Sequence, residues 1–335
     1  MIELKPRHRR LLVLGITEQW AFAAGTLLLA LRRHNPKLDA DLLLFHDGKL
    51  NNADALIFKK LDVKLQTFEA QTNCLSQELL ALYSPLCLAK FCCFELLKYY
   101  ESVAWLDADI IIQDNLEDLW SYGPFSLACE DVFFYEDQKP RGADINGTIP
   151  LPDLDRNRPN LNSGVFVLNY ALPNPEALAK QGLNYLAKHK SEIRFADQAA
   201  FNMLAKVIAS SDAKLWQELP NHFNCHPKNP AALYAPIVHA FGAYKLWNDG
   251  LSQACFPEWQ RDYARWLKLG GSPWQGEINN ANYLQKSPFN LLTSFYNTME
   301  ASEKALQQLG KQLEVEQAKN RQLKQLVQNL INKLS

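Results

Sequence analysis

Short apolar runs alternate with helical patterns in the N-terminal part of the chain, and this alternation limits the possible folds more than any other feature. Strand patterns at 11–16, 41–45 and 63–68 are separated by helical patterns at 21–33 and 52–61. Strands that alternate with helices form a mostly parallel sheet with helices packed on its faces. The sequence therefore predicts an α/β fold.

The alternation continues further along the chain. A helical pattern at 85–100 comes before a strand pattern at 103–106, and a further strand begins at Asn162. The remaining predicted elements are helices at 175–190, from about Asp197 and at 259–267, and a short strand at 236–239. Residues 134–161 are polar and contain several prolines and glycines, so they are predicted to form a long loop that is either a lid or disordered.

The composition indicates a large core and argues against binding to nucleic acid. Hydrophobic residues make up 47% of the 335 residues, and 35 Lys and Arg stand against 36 Asp and Glu. The formal net charge of -1 gives no basic field for a phosphate backbone. The seven cysteines are odd in number and include no Cys-x-x-Cys pair, so they are predicted to be buried thiols in a reducing compartment rather than zinc ligands.

Residues 11–31 allow another interpretation, a membrane anchor, because they are largely apolar and follow the basic segment 5–10. Glu18 and Gln19 lie in the middle of this segment, where a charge costs about 3 kcal/mol to insert into a bilayer. The far flank is basic as well, and no small-residue cleavage site is evident. A strand, a turn and a helix are therefore preferred, and the protein is predicted to be cytoplasmic.

The segment 299–335 differs in kind, because its apolar residues recur in a heptad register. Eight of the eleven core positions from Met299 to Leu334 are apolar, and the positions between them are rich in Gln, Lys and Glu. This pattern is typical of a coiled coil, and Asn320 at a core position favours a homodimer with a defined register. The sequence thus predicts a globular domain at 1–275, a linker at 276–298 and an oligomerisation helix at 299–335; the alternative is a terminal helix folded back on its own domain.

Two carboxylates follow the predicted strand at 103–106. In Leu106-Asp107-Ala108-Asp109 they are two residues apart, so in an extended backbone both face the same side. Ligand crevices of α/β proteins form at the carboxyl ends of strands, and two acids there repel each other unless a cation lies between them. Mg²⁺ or Mn²⁺, bound by carboxylates and by the phosphates of a substrate, would satisfy this arrangement; a solvated pair of acids is the alternative.

Three further segments carry polar groups next to apolar elements. His239 ends an apolar strand and is followed by Gly242 and Lys245, so it can complete a metal site while Lys245 meets phosphates, or it can be an ordinary core histidine. Asn162 opens a buried strand with an amide suited to sugar hydroxyls, or forms a turn. Asp197-Gln198 precedes an apolar helical stretch, where its alternative role is an N-terminal cap.

In this combination and order, the residues resemble glycosyltransferase family eight, the retaining enzymes of GT-A fold that use nucleotide sugars. The matching segments are Leu106-Asp107-Ala108-Asp109 with Lys90 in the preceding helix, Asn162-Ser163-Gly164-Val165, Asp197-Gln198 and the pattern from His239 to Trp247. The resemblance covers about residues 9–268. It implies an α/β, GT-A (Rossmann-like) fold with a mixed, mostly parallel sheet flanked by helices, to which this chain adds the predicted C-terminal coiled coil.

The resemblance also implies a role for each matching residue. The implied ligands of Mn²⁺ or Mg²⁺ are Asp107, Asp109 and His239, and the implied catalytic residues beside the anomeric carbon and the acceptor are Asp197 and Gln198. The implied contacts to a UDP-sugar are Gly15, Thr17, Trp20, Lys90, Asp107, Ala108, Asn162, Gly242 and Lys245. Family members commonly have acidic residues and an Asn in the turn after the first strand, whereas Thr17, Glu18, Gln19 and Trp20 stand here, so this turn does not establish the base of the nucleotide.

The implied activity is metal-dependent transfer of a hexose from a UDP-sugar to a glycan or lipid-linked acceptor. A divalent cation and Lys245 would stabilise the negative charge that grows on the departing diphosphate. Retention at the anomeric carbon could use a covalent intermediate on a carboxylate, an amide-assisted intermediate, or front-face attack with the leaving phosphate as the base. By analogy, the predicted acceptor is a bacterial surface glycan such as lipopolysaccharide or capsule, and the predicted location is the cytoplasm or the inner face of the membrane.

Two other functions fit parts of the sequence. A phosphatase of the haloacid-dehalogenase type also has Asp-x-Asp after a strand, but its motif requires a Thr where Ile111 stands. The second alternative is an inactive sugar-binding scaffold assembled through residues 299–335. The presence of all three implied metal ligands, Asp107, Asp109 and His239, argues against that scaffold.

Overall fold

The structure, a computed structural model, describes residues 6–276 except for 71, 131–159, 194, 228 and 243–244. It also describes residues 310, 311, 317, 319 and 321, which are helical and exposed. The chain divides into two units, Met1–Asn279 and Asn280–Ser335. All elements named below belong to the first unit.

The strands of the described residues form one large sheet and one small one. In chain order they are β1 (Arg10–Ile16), β2 (Asp41–His46), β3 (Val63–Thr67), β4 (Ser102–Leu106), β5 (Ile110–Ile112), β6 (Phe125–Cys129), β7 (Leu161–Asn169), β8 (Trp216–Glu218) and β9 (Ile237–His239). The large sheet has seven strands in the order β3-β2-β1-β4-β7-β6-β8, and β5 pairs with β9 in the small sheet. In the large sheet β7 is antiparallel to both of its neighbours, and the other adjacent pairs are parallel, which confirms the predicted mixed, mostly parallel sheet.

Helices cover both faces of the large sheet. They are α1 (Ala21–His34), α2 (Asn52–Lys60), α3 (Gln77–Leu82), α4 (Cys92–Leu96), α5 (Pro175–His189), α6 (Ala196–Ser211), α7 (Gly250–Cys255) and α8 (Pro257–Lys268). Short 3-10 helices at Glu18–Trp20 and Pro85–Phe91 complete the connections that matter for the site.

Strand β1 shows why the sheet is buried on both faces. Its residues 11–14 are all fully buried, and successive side chains of a strand point to opposite faces. Leu12 and Leu14 pack in one core with the apolar residues of α1, whereas Leu11 and Val13 pack in a second core with those of α6. A continuous apolar run is the expected pattern for such a central parallel strand.

The small sheet connects two segments that are far apart in the sequence. Strand β5 follows β4 after the turn that carries Asp107 and Asp109, and it pairs antiparallel with β9 so that Ile110 lies opposite His239. The Ala240 N–H also donates to the Asp109 carbonyl at 2.9 Å. This pairing brings the histidine to the carboxylates.

Most of the predicted elements are present, with differences at specific places. The predicted helix at 85–100 is a 3-10 helix at Pro85–Phe91 followed by the short helix α4, because apolar spacing alone does not distinguish 3-10 from α-helical hydrogen bonding. Strands β5, β6 and β8 and helices α3 and α7 were not predicted.

Two predictions concern segments for which the structure gives limited or no description. The long loop predicted at 134–161 lies almost entirely outside the described residues, and so do all eleven core positions of the predicted coiled coil. Residues 11–31, the alternative membrane segment, form β1, a 3-10 turn and most of α1. Among the described residues there is no helix with the length and apolar character needed to cross a bilayer.

Candidate active site

Three backbone segments meet at the carboxyl end of β4. Asp107 and Asp109 lie in the turn that follows β4, and the Asp107 N–H donates to the Gly164 carbonyl of β7 at 2.8 Å. His239 is the last residue of β9. Neighbouring strands therefore place the two carboxylates and the imidazole together, where α/β sheets form ligand crevices.

Asp107, Asp109 and His239 form a compact cluster of candidate metal ligands. One ligand atom from each residue lies within 4.8 Å of the others. The distances from His239 Nε2 are 3.1 Å to Asp109 Oδ1 and 3.8 Å to Asp107 Oδ2. Two carboxylate oxygens and one imidazole nitrogen are suitable ligands for Mn²⁺ or Mg²⁺ with substrate phosphates completing the shell.

Lys245 lies beside the same cluster. Its ammonium group forms an ion pair with Asp109 Oδ2 and donates to the Ala240 carbonyl at 2.9 Å. It also lies 6.0 Å from the centre of the Trp20 ring. Burial alone would raise the pKa of Asp109, but Lys245 and His239 outweigh it and hold that pKa below its ordinary value.

A buried ammonium group, that of Lys90, joins the cluster of candidate metal ligands to α6. Lys90 Nζ lies 3.1 Å from Asp107 Oδ1 and 2.7 Å from Asp197 Oδ2, and its side chain is only 5% exposed. The Ser163 hydroxyl donates to the same Asp197 oxygen at 2.7 Å. Burial opposes the charge on Lys90, but the two carboxylates outweigh it and raise the pKa of the lysine.

Asp107 differs electrostatically from Asp109. The Trp105 indole N–H donates to Asp107 Oδ1 at 2.7 Å, which orients the carboxylate. Burial raises the pKa of Asp107 above its ordinary value, although Lys90 opposes the effect. A bound divalent cation would favour the charged form of this carboxylate and so relieve its burial.

A further carboxylate, that of the half-buried Glu130, lies directly after β6. Its oxygens accept from Asn160 Nδ2 at 2.5 Å, Gln198 Nε2 at 3.0 Å and Asn162 Nδ2 at 3.5 Å. Burial raises the pKa of Glu130, and these three hydrogen bonds oppose the effect. The carboxylate therefore holds the Gln198 side chain against β7.

The predicted residues all line one cavity of about 950 Å³. They are Gly15, Thr17, Trp20, Lys90, Asp107, Ala108, Asp109, Asn162, Asp197, Gln198, His239, Gly242 and Lys245. The structure thus brings together every residue selected from the sequence, although the role of each one stays a prediction. Among the described residues, four carboxylates and two lysines line this cavity, which favours the entry of a cation.

Several residues in or behind the lining of this cavity were not predicted from the sequence. Glu130 and Trp105 line the cavity, and Asn224 lies behind it in contact with His239. Glu130 follows the apolar run of β6, which is the signal that identified Asp107 after β4, so it was available in the sequence. Asn224 had no such signal, because its place depends on the bridge between Cys225 and Val238.

The arrangement suits chemistry on a phosphate-containing substrate. The metal cluster offers oxygen and nitrogen ligands, and Lys245 supplies a positive charge next to them. Asp197 and Gln198 lie on the opposite side of Lys90, with their side chains positioned by Ser163 and Glu130. The candidate metal ligands and the Asp197–Gln198 pair therefore lie at separate places within one cavity.

Comparison with known proteins agrees with this geometry. The sequence model of the family described as glycosyl transferase family 8 matches residues 11–250, more than half of the chain. No curated protein sequence matches.

Several solved structures have a similar fold. The galactosyltransferase LgtC, in complex with donor and acceptor sugar analogues, superposes with a TM-score of 0.58 at 16% identity over 81% of this chain and 99% of that chain. An active-site mutant of LgtC gives 0.58 at 14% identity over 81% and 99%, and the bifunctional glycosyltransferase WbbM gives 0.58 at 15% identity over 80% and 52%. At these identities the likeness establishes the fold, a mixed α/β fold like that of GT-A glycosyltransferases.

Proposed function

Because the chain belongs to glycosyl transferase family 8, and is a glycosyltransferase on that ground, we propose that it transfers a hexose from a UDP-sugar with retention, using a divalent cation. The observation that carries this proposal is the convergence of Asp107, Asp109, His239 and Lys245 within one cavity. These groups suit the charge that must be stabilised when a nucleoside diphosphate leaves a sugar.

The residues present fit a divalent cation. His239 Nδ1 contacts Asn224 Oδ1 at 2.7 Å, so the other ring nitrogen, Nε2, is the one that faces the carboxylates. Asp107 and Asp109 would supply the two oxygen ligands. When bound, Mn²⁺ or Mg²⁺ would supply Lewis-acid stabilisation of the diphosphate.

The turn after β1 supports a nucleotide site. The Thr17 hydroxyl oxygen is buried and has no hydrogen-bond partner among the described residues, which leaves it for a ligand. Trp20 stands edge-on to Trp247 with ring centres 5.0 Å apart, so its ring is held in place beside the cavity. Gly15 is needed here because a Cβ would lie 2.7 Å from the Trp105 ring. We assign the uridine to this turn.

Lys245 and Lys90 have different tasks in this proposal. Lys245 is partly exposed, with 18% of its side chain accessible, and can turn from Asp109 to a phosphate oxygen. Lys90 is held between Asp107 and Asp197, so it contacts the donor from a fixed position. Gly242 lines the cavity with a φ of +86°, a conformation that favours glycine, so its backbone can come close to the phosphates.

Asp197 and Gln198 lie where the donor sugar and the acceptor would meet. Asp197 Oδ2 accepts hydrogen bonds from Lys90 and from Ser163, and both bonds lower the nucleophilic strength of this carboxylate. Gln198 presents a neutral carboxamide fixed by Glu130 and Asn162. These contacts support roles in positioning and charge stabilisation for the pair, with Asn162 beside the donor sugar.

We further propose a glycan or lipid-linked acceptor of a bacterial surface polysaccharide and a location in the cytoplasm or on the inner face of the membrane. The division into a catalytic domain at 1–275, a linker at 276–298 and a dimerising helix at 299–335 belongs to the same proposal. Its basis is the family resemblance and the heptad pattern of the sequence.

Thermal unfolding with nucleotide sugars tests the proposed donor site. UDP-, GDP-, CMP- and ADP-sugars are added to the purified protein with and without Mn²⁺. Ligand at 100 times its Kd stabilises the native state by about 2.7 kcal/mol, so we expect the UDP-sugar to raise the unfolding midpoint only when Mn²⁺ is present.

Two aspartate variants separate the site from general stability. Asp109→Asn removes the charge of a candidate metal ligand and should abolish the Mn²⁺-dependent shift; transfer activity should fall by about 100-fold or more, as for loss of a transition-state contact. Asp41→Asn, at a buried carboxylate outside the cavity, should lower the midpoint and keep the shift. A shift that survives Asp109→Asn would contradict the proposed metal site and favour the scaffold.

A further inference from the structure

His239 is connected to β7 by a chain of side-chain amides. The His239 Nδ1 atom lies 2.7 Å from Asn224 Oδ1, and Asn224 Nδ2 lies 3.1 Å from Asn162 Oδ1. The Gly164 N–H donates to the same Asn162 oxygen at 2.9 Å. Asn224 is 0% exposed, His239 1% and Asn162 4%, so the hydrogen bonds of Asn224 are shielded from solvent.

Two groups fix the orientation of the Asn162 amide, and the direction of every other hydrogen bond in this chain follows from it. The Gly164 backbone N–H can only donate, so the Asn162 atom that it contacts is the oxygen. The second group is Gln198. Its Nε2 donates to Glu130, so its Oε1 is the atom that accepts from Asn162 Nδ2, at 3.3 Å. The contacts with Gly164 and with Gln198 require the same orientation of the Asn162 amide, so this orientation does not rest on a single contact.

This orientation determines which hydrogen His239 carries. Because the Asn162 oxygen can only accept, the Asn224 atom that contacts it is the nitrogen, and the Asn224 oxygen faces the imidazole. An amide oxygen can only accept, so His239 Nδ1 must carry a hydrogen. The lone pair for a cation is then on Nε2, the atom that faces Asp109 and Asp107.

The position of the ring depends on the same strand. A Cβ added at Gly164 would lie 1.9 Å from His239 Cε1 and 2.9 Å from Asn162 Oδ1. A side chain at this position would displace the imidazole and the amide together. Gly164 therefore provides both the hydrogen bond that orients the chain and the space in which the ring lies.

We propose that Asn224 is a positioning residue that holds His239 in the tautomer with hydrogen on Nδ1 and so presents Nε2 to the metal. The inference rests on the proposed metal-dependent function of this cavity. Partners behind a metal-binding histidine fix its tautomer and ring orientation, and losing them weakens metal binding by about 10- to 100-fold. Asn224 acts through His239 and does not touch the substrate.

Mn²⁺ binding and nitrogen NMR test the proposal without an activity assay. Free Mn²⁺ is measured by electron paramagnetic resonance in the wild type, Asn224→Leu, Asn224→Asp and Asn35→Ala. Asn35 is a matched control, because it is 4% exposed, is hydrogen-bonded through both amide atoms to residues 114 and 116, and does not line the cavity. The hydrogen on His239 is located from ring ¹⁵N signals, identified by their loss in His239→Gln.

We expect a slowly exchanging Nδ1–H in the wild type. Asn224→Leu should lose it and bind Mn²⁺ about 10- to 100-fold more weakly, whereas Asn224→Asp, which still accepts from Nδ1–H, should bind more tightly than Asn224→Leu. Asn35→Ala should bind Mn²⁺ like the wild type even if it unfolds more easily. Because aspartate also restores the shape of asparagine, the Nδ1–H signal, rather than Mn²⁺ affinity alone, distinguishes this role from space filling: an Asn224 that only filled space would leave the position of the ring hydrogen unchanged in Asn224→Leu.

Three other results of these measurements would each contradict one step of the proposal. If the wild type binds Mn²⁺ and Asn224→Leu binds it equally well, the positioning role is wrong and the metal site stands. If the wild-type His239 carries its only hydrogen on Nε2, the inference is wrong. This result needs no variant, so it holds even if Asn224→Leu fails to fold. If the wild type binds no Mn²⁺, the proposed metal-dependent function fails, and the inference fails with it.

Discussion

The large sheet has buried carboxylates at both ends of its parallel strands. We call the amino end, where Asp41 lies, the structural end, and the carboxyl end, whose carboxylates line the cavity, the functional end. Asp41 begins β2 at the amino end of the parallel strands and is 0% exposed. Its Oδ2 accepts from the Arg7 backbone at 3.0 Å, the Tyr100 hydroxyl at 2.9 Å and Lys64 Nζ at 3.2 Å. Asp41 does not line the cavity that contains Asp107 and Asp109.

At the carboxyl end, the carboxylates line the cavity, and neighbouring cations and hydrogen-bond donors offset their burial to different extents. The pKa values of Asp107 and Glu130 are raised because burial dominates, whereas that of Asp41 is lowered because its hydrogen-bond donors outweigh burial. Full satisfaction of a buried charge serves stability, while incomplete satisfaction beside an open cavity is typical of a site that awaits a ligand. The comparison therefore separates Asp41 from Asp107 and Glu130. Asp109, at the same carboxyl end, has a lowered pKa like Asp41, because Lys245 and His239 outweigh its burial.

The largest expected effect comes from the cation that balances the functional end. Lys90→Met leaves Asp107 and Asp197 without their shared ammonium group, and removal of one partner from a buried ion pair costs about 3–5 kcal/mol. The matched variant at the structural end is Lys64→Met. Lys64 is partly exposed, and Asp41 keeps Arg7 and Tyr100 without it, so its loss should cost about 1 kcal/mol or less.

Urea denaturation of both lysine variants measures this difference. Equal losses of the free energy of unfolding in Lys90→Met and Lys64→Met would break the comparison, because the two ends would then depend on their cations alike. A larger loss at Lys64 would reverse it.

The carboxyl end of β4 shows how far sequence reasoning reaches. Asp107 and Asp109 were predicted because acids directly after a buried strand fall at the edge where parallel strands end. His239 and Lys245 were added by their place in a pattern that resembles a family. All of these inferences use local sequence, and the structure places these residues at one cavity.

What the sequence did not predict depends on contacts between distant segments. The three isoleucines of β5 gave no sign that they pair with β9 rather than extend β4, since periodicity does not identify a partner strand. Asn224 likewise reaches His239 only because Cys225 bridges Val238. The antiparallel course of β7, between two parallel neighbours, is a long-range feature of the same kind.

An intermediate effect is expected at the structural end itself. Asp41→Asn removes a charged acceptor of several hydrogen bonds and should lower the free energy of unfolding by about 1–3 kcal/mol at pH 7. Because the folded pKa of Asp41 is lowered, its stabilisation is present above its unfolded pKa and is lost as pH falls through the folded value. The difference between wild type and variant should therefore persist from neutral pH to about pH 5 and shrink below about pH 4.

Denaturation curves at several pH values check this prediction. A difference that stays constant down to the lowest pH at which the protein folds would mean that the variant loses packing rather than charge. The Mn²⁺-dependent shift with a nucleotide sugar should be unchanged in Asp41→Asn, since the residue lies outside the cavity.

The smallest effect is expected at Glu130, and it has the opposite sign. Its folded pKa is raised, so the unfolded chain loses the proton first, and stability falls as pH rises from the unfolded pKa to the folded one. Glu130→Gln does not titrate, so it should gain stability relative to the wild type as pH rises above about 4.3. We expect a gain below about 1 kcal/mol, the net worth of one hydrogen bond.

The amide can replace the carboxylate because Asn160 is able to adjust. Its carboxamide oxygen is buried without a hydrogen-bond partner among the described residues, so a turn of this amide offers an acceptor to the new N–H group. Opposite slopes of relative stability against pH for Asp41→Asn and Glu130→Gln would sharpen the comparison. Slopes of the same sign would mean that Glu130 is balanced as fully as Asp41, and the carboxyl end would then be no more prepared for a ligand than the amino end.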